Sequence, residues 1–199
     1  RQSKLRKRLL EEAGILFARR GFDKVTIRGL ADAAQVRLSD MYRHFTDKAE
    51  LYRIACANAR QEGGDRYIAA LSSASPPLCR LIAFTTLLYR DMRTDQRYSR
   101  LFVRELLDSD DEMIAALVED NFFRPQFEYA TACVKQLDFG LSAESVAYSI
   151  YVLALGYVQM RDFGQAIPIA DLDFENDDAM ARTIVSMVLR KDLASITPG

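Results

Sequence analysis

The 199-residue chain contains one histidine, three cysteines and no tryptophan. A single imidazole excludes sites built on paired histidines. No HExxH, phosphate-loop or GxGxxG run is present, and no cysteine has a histidine near it in sequence. Carboxylates are plentiful, but none forms a helical Glu/His metal set. The sequence therefore offers no catalytic residues, metal site or cofactor site, and is read as a non-enzyme. Cys56, Cys79 and Cys133 are odd in number and far apart, which fits thiols in a reducing cytoplasm and not a disulfide framework or zinc site. Five prolines and nine glycines are too few for a collagen-like or low-complexity chain. No apolar run approaches the roughly 20 residues of a membrane span, and the opening RQSKLRKRLL shows no signal-peptide pattern. Strand-like alternation is missing, as are internal repeats.

The small net charge of −1 conceals an imbalance. Residues 1–60 carry 14 lysines and arginines against seven carboxylates, a net +7, which leaves −8 on the remainder. A basic front on an acidic body suggests an anionic partner for the front, most simply nucleic acid, although an uneven solvated surface would look the same.

What the chain does contain is helical periodicity. Leu5, Leu9, Ala13, Leu16 and Phe17 share one face over residues 3–20. Gly21 stops that helix, and Phe22 can fold back over its last turn. Thr26 is a good N-cap for a short helix over 26–33. A tight break at AAQV precedes a third helix over 37–45. Asp47 and Glu50 form a capping-box-like start for a fourth, with Gly63-Gly64 weakening its middle and SSASPP at 72–77 ending it. Further helices are read at 78–93, 96–108, 111–137, 142–164 and 177–192. Pro125 should kink or break the helix that carries it, and 167–177 reads as a loop. The fold class is all-α: a three-helix basic front over residues 1–46, then a larger helical body over 47–199.

Two short helices joined by a tight turn form a helix-turn-helix, whose second helix enters the DNA major groove N-terminus first. That helix opens with Arg37, Leu38, Ser39 and Asp40. Arg37 is the strongest base reader, because its planar fork matches both acceptors of a guanine. Ser39 can contact base or phosphate. Asp40 can accept from a cytosine amine or simply stabilise the helix start, and Leu38 can meet a thymine methyl or join the core.

Residues 9–52 resemble the N-terminal domain of the TetR family of bacterial transcriptional regulators. The resemblance rests on Ala13, Phe17, Gly21-Phe22, Thr26, Leu30-Ala31, Val36, Tyr42, His44-Phe45, Lys48 and Leu51 at fixed spacing. It implies phosphate contacts from Thr26, Tyr42, His44 and Lys48, and Arg28 and Arg43 are assigned to the same backbone role, which sets orientation and not sequence. His44 can equally fill a polar niche between helices. Arg1, Lys4, Arg6, Lys7 and Arg8 either add DNA contacts or form a solvated face. The chain departs from the family where Gln35 and Arg37 replace a common Gly and Ser, and where Ser39 and Asp40 replace Gly and Thr. Gln35 then has to adopt a strained turn, Arg37 replaces a good N-cap, and Asp40 is unfavourable near phosphate unless it reads a base or pairs with Arg43.

The resemblance further implies a body that dimerises and binds a small-molecule effector. Residues 142–160 are apolar nearly all round, and Met180, Ile184, Met187 and Val188 form a second stripe. With Tyr157, these are the candidate dimer residues, the alternative being a subunit core. Phe84, Tyr89, Phe102, Phe123, Phe127 and Tyr151, with Arg104, Glu105 and Gln159 as polar groups, are candidates for an effector pocket or for ordinary core. The sequence thus reads as a ligand-responsive homodimeric regulator, most simply a repressor, that binds a palindromic operator in double-stranded DNA and is released by a partly hydrophobic effector. The alternative is a helical carrier or protein-interaction module with weak or lost DNA binding.

Overall fold

A computed structural model describes residues 2–108, 123–137, 140–167 and 172–190. Among these residues lie ten helices and no strand: α1 (Gln2–Arg20), α2 (Ile27–Ala33), α3 (Leu38–His44), α4 (Lys48–Ser72), α5 (Pro77–Thr94), α6 (Gln96–Asp108), α7 (Phe123–Lys135), α8 (Ala143–Gln159), α9 (Arg161–Ala166) and α10 (Asp177–Leu189). They pack as two compact units. The first holds α1–α3, α4 up to Glu62, and α6. The second holds α4 from Gly63, α5 and α7–α10.

In the first unit, the apolar face of α1 buries Leu9, Ala13 and Phe17 against Leu30 and Ala31 of α2, Met41 of α3 and Leu51 and Ala55 of α4. Leu101 of α6 completes this core. That α6 packs on α1 could not be read from periodicity, because a helix shows its apolar face but not what that face meets. Gly21 ends α1 with φ 80, its N–H donating to the Phe17 carbonyl at 2.9 Å. The Phe22 ring then stacks back on Phe17 at 6.2 Å.

The start of α4 is held by reciprocal caps. Asp47 Oδ1 accepts from the Glu50 N–H at 2.7 Å, and Glu50 Oε2 accepts from the Thr46 N–H at 2.6 Å and the Thr46 hydroxyl at 2.7 Å. The two hydrogen bonds from Thr46 hold the Glu50 carboxyl below its usual pKa. Helix α4 runs continuously through Gly63-Gly64 to Ser72. Glycine lowers helix propensity by only about 1 kcal/mol, which neighbouring turns offset.

In the second unit, α5 lies against α7, α8 and α10. Leu81, Phe84, Leu88, Ala130, Ala147, Ile150, Met180 and Ile184 form the buried centre. At the α5–α10 end, Arg93 Nε donates to Asp177 Oδ1 at 2.9 Å and Nη1 to Glu175 Oε2 at 2.8 Å. The Tyr89 hydroxyl donates to the Phe174 carbonyl at 2.9 Å, and burial pushes its pKa up to about 12. Asn176 caps α10 through the Ala179 N–H. The helix expected over 142–164 breaks at Met160 into α8 and α9. That turn seats Gly164 on the Phe174 ring, where an added Cβ would lie 2.6 Å from Cζ. Pro125 is the third described residue of α7, and residues 111–122 of the helix expected over 111–137 lie outside the described residues.

Candidate nucleic-acid interface

The α2–α3 turn is where sequence and geometry meet most sharply. The Val36 N–H donates to the Ala31 carbonyl at 2.9 Å and the Gln35 N–H to the Asp32 carbonyl at 3.1 Å. Those two bonds make a Schellman termination of α2, which requires a left-handed residue at its pivot. That residue is Gln35, at φ 53. Arg8 reinforces the turn by donating from Nη2 to the Ala34 carbonyl at 2.5 Å.

Beyond the turn, α3 buries Met41 and presents its other side to solvent. Arg37 and Ser39 are exposed, and Leu38 is 40% exposed, so its side chain is open to an apolar base contact and not committed to the core. Arg37 occupies the N-cap without capping through its side chain. Arg43 Nη1 pairs with Asp40 Oδ1 at 3.4 Å, which offsets the negative charge on this face. Tyr42 is 57% exposed. His44 is half-buried with its ring 6.3 Å from that of Phe45.

Thr26 and Arg28 are exposed on α2 and its cap. Thr26 Oγ1 accepts from the Gly29 N–H at 3.1 Å, leaving the hydroxyl hydrogen free to donate outward. Lys48 is half-buried; its ammonium donates to the Phe22 carbonyl at 3.0 Å and lies 4.0 Å over the Phe22 ring. It fixes the start of α4 to the α1–α2 loop while keeping two hydrogens to donate. Arg6 lies over the Phe45 ring at 5.4 Å, so Arg6 and Arg8 of the basic N-terminal run are engaged within the unit.

The candidate effector residues are divided by the fold. Phe84, Phe127 and Tyr151 come together in the second unit, with ring centroids 5.5 Å apart for Phe84–Tyr151 and 6.4 Å for Phe127–Tyr151, and Tyr67 joins at 5.8 Å from Phe84. Tyr89 instead packs towards Phe174. Phe123 is half-buried at the start of α7, and Gln159 is exposed at the end of α8. Phe102 and Arg104 belong to the first unit. The Arg104 guanidinium fills the space left by the missing side chain of Gly21, with Nη1 2.8 Å from where a Cβ would stand. The Glu105 side chain lies outside the described residues.

Two polar residues that periodicity did not single out lie inside the second unit: Gln126, fully enclosed, and Thr131, 8% exposed. Among the described residues Thr131 Oγ1 has no hydrogen-bond partner, a condition that costs about 1–3 kcal/mol for a buried polar group. Only their position among apolar α7 residues could have flagged them. A separate apolar groove of about 320 Å³ runs between α5 and α10, lined by Cys79, Ile82, Ala83, Thr86 and Leu87 with Asp178 and Arg182 at its edge. None of the candidate effector residues lines it.

The candidate dimer residues also separate. Met180 and Ile184 are fully enclosed within their own unit and are core. Met187 is 53% exposed and accepts a hydrogen bond from the Tyr157 hydroxyl at 3.2 Å, while Tyr157 and Val188 are half-buried. Tyr148 and Val152 extend the exposed apolar surface along α8, so that helix is buried on one face and not all round.

Comparison with known proteins accords with this arrangement. Residues 9–54 match the model of the bacterial regulatory proteins of the tetR family. No curated protein matches the chain in sequence. Among solved structures, the fatty acid degradation regulator FadR from Bacillus halodurans superposes with a TM-score of 0.74 at 14% identity, over 93% of this chain and 94% of its own. The TetR family transcriptional regulator PfmR from Thermus thermophilus gives 0.70 at 18% identity, over 92% and 97%. AibR, solved with isovaleryl coenzyme A and operator DNA, gives 0.72 at 16% identity, over 94% and 99%. Residues 9–54 thus carry the sequence pattern of the bacterial regulatory proteins of the tetR family, and the chain as a whole has the fold of regulators solved in that family.

Proposed function

We propose that the chain is a transcriptional regulator that binds a palindromic operator as a homodimer and is released by a small effector. The reading rests chiefly on one observation: α3 presents Arg37, Leu38, Ser39 and Tyr42 outward, on a basic unit whose residues 9–54 match the tetR family model. Arg37 reads a guanine, with Leu38, Ser39 and Asp40 as its neighbours on base edges. Thr26, Arg28, Tyr42, Arg43, His44 and Lys48 position the duplex through phosphates. Residues 1–46 are the DNA-binding part and residues 47–199 the effector-binding and dimerising part. Tyr148, Val152 and Met187 carry the apolar surface that a second copy covers.

The effector is held by the Phe84, Phe127 and Tyr151 cluster. An acyl compound fits that apolar, aromatic setting, and AibR was solved with an acyl thioester. Helix α4, shared by both units, carries the coupling, so effector and DNA weaken each other's binding by the same factor. The protein works in the cytoplasm, represses by occupancy and catalyses nothing.

Selection of the purified protein against a random duplex pool tests the reading. Enrichment of a palindrome is the expected result. Failure to enrich any sequence at low salt, with folded protein, overturns it.

A further inference from the structure

Resting on the effector reading above, we infer that the effector is uncharged where the second unit encloses it. It is an ester, thioester or amide of an acyl chain whose carbonyl accepts from the Thr131 hydroxyl, and not a free carboxylate or an amine.

The other helical threonines use their hydroxyls within their own helices. Those of Thr85, Thr86, Thr94 and Thr183 donate to the carbonyl one turn back, at 2.7, 2.8, 2.8 and 2.9 Å respectively. Thr131 does not, although it is equally helical and almost wholly enclosed. Its hydroxyl retains a hydrogen to donate, and the complementary group on a ligand is a carbonyl oxygen. Thr131 follows Phe127 by one helical turn, which places it on the α7 face that brings Phe127 to Tyr151. An acyl chain among those rings would have its carbonyl within the reach of this face.

Charge decides the rest. A carboxylate or ammonium enclosed without a counter-ion is strongly disfavoured. Among the described residues, the cations of the second unit other than Arg80 pair with carboxylates: Arg66 and Arg90 with Asp91, Arg93 with Asp177, Arg124 with Glu128, Lys135 with Glu144, Arg161 with Asp162 and Arg182 with Asp178, while Arg190 is exposed at the end of α10. Arg80 lies one turn before Phe84 on α5. It donates from Nη1 to the Leu71 carbonyl at 3.1 Å and from Nη2 to Gln136 Oε1 at 2.8 Å, and its Nε is buried without a partner. Arg80 is thus already bound through both terminal nitrogens, one at the C-terminal end of α4 and one just beyond α7, and is the residue a carboxylate would have to recruit.

The test uses the full chain and four probes of equal chain length: octanoate, ethyl octanoate, octanoyl-N-acetylcysteamine and octyltrimethylammonium. Binding is read by thermal shift and by release of the duplex obtained from selection. The ester and thioester are expected to bind and release DNA, while octanoate and the quaternary amine do so far more weakly. Thr131→Val should weaken the ester and thioester roughly three- to tenfold, the loss of one neutral hydrogen bond. It should leave operator affinity unchanged and the ligand-free protein no less stable, whereas Thr131→Ser should restore binding. A hydroxyl with a purely packing role would leave probe affinity unmoved by Thr131→Val, and that result overturns the assignment. Octanoate binding as tightly as its ester, with the binding abolished by Arg80→Met, overturns the charge argument. Failure of all four probes with operator binding intact also rejects the neutral-acyl class and leaves the DNA-binding reading standing. Loss of operator binding in the unliganded wild type instead rejects the regulator reading.

Discussion

Replacing Gln35 with glycine should stabilise the protein. Gln35 is exposed and sits at φ 53, the pivot of the turn between α2 and α3. Both hydrogen bonds of that turn run through backbone N–H groups, so the substitution preserves them. A side chain in the left-handed region costs about 1–2 kcal/mol, and glycine removes that cost. Against this, glycine loses about 0.5–1 kcal/mol more entropy on folding. The balance favours Gln35→Gly by about 0.5–1 kcal/mol, or about 1–4 °C in Tm for a chain of this size. Thermal unfolding followed by circular dichroism at fixed concentration measures it, with Gln35→Ala as the control that keeps a β-carbon and should barely move. Gln35→Pro should be severely destabilising, because proline forces a negative φ and deletes the Gln35 N–H bond to Asp32. If Gln35→Gly lowers Tm, or Gln35→Ala matches its gain, the strain argument fails.

Gly21→Ala combines φ 80 with a collision against the Arg104 guanidinium. It should cost about 2 kcal/mol or more, and adding Arg104→Ala should recover only the steric part, as a denaturation double-mutant cycle would show. Tyr42→Phe should weaken all duplexes alike, whereas Arg37→Ala should lose about 1–3 kcal/mol of discrimination at a particular base pair, measured by competition among operator variants. Met187→Glu should shift the protein to monomer in sedimentation without unfolding it, because its side chain is exposed; Ile184→Glu should unfold it. Glu50 has a lowered pKa from its bonds to Thr46, so its contribution is present above the ordinary carboxylate pKa and is lost as pH falls through the lowered value. Glu50→Gln should flatten that part of the stability–pH profile, and Tm measured from neutral to acidic pH would reveal whether it does.

The reading frame of the first unit was legible because its signals are local. The Thr26 cap, the Gly21 stop, the Asp47–Glu50 box and the strained Gln35 each depend on backbone groups within a few residues, and the structure has all four. Lys48 was legible as a cation at the start of α4, but not its hold on Phe22, 26 residues earlier in the chain. Met180 and Ile184 illustrate the same limit from the other side. A 3.6-residue stripe shows that a face is buried, but one subunit's core and a dimer seam demand the same apolar residues.

The sequence by itself determined the helices, their caps and the basic helix-turn-helix, because hydrogen bonds between near neighbours and apolar periodicity specify them. Only tertiary packing decided that Arg104 belongs beside Gly21 and not beside the aromatic cluster. It also decided which of the aromatic residues meet, and that Thr131 is enclosed with an unused hydroxyl. Those outcomes depend on which helices become neighbours, which no local pattern encodes.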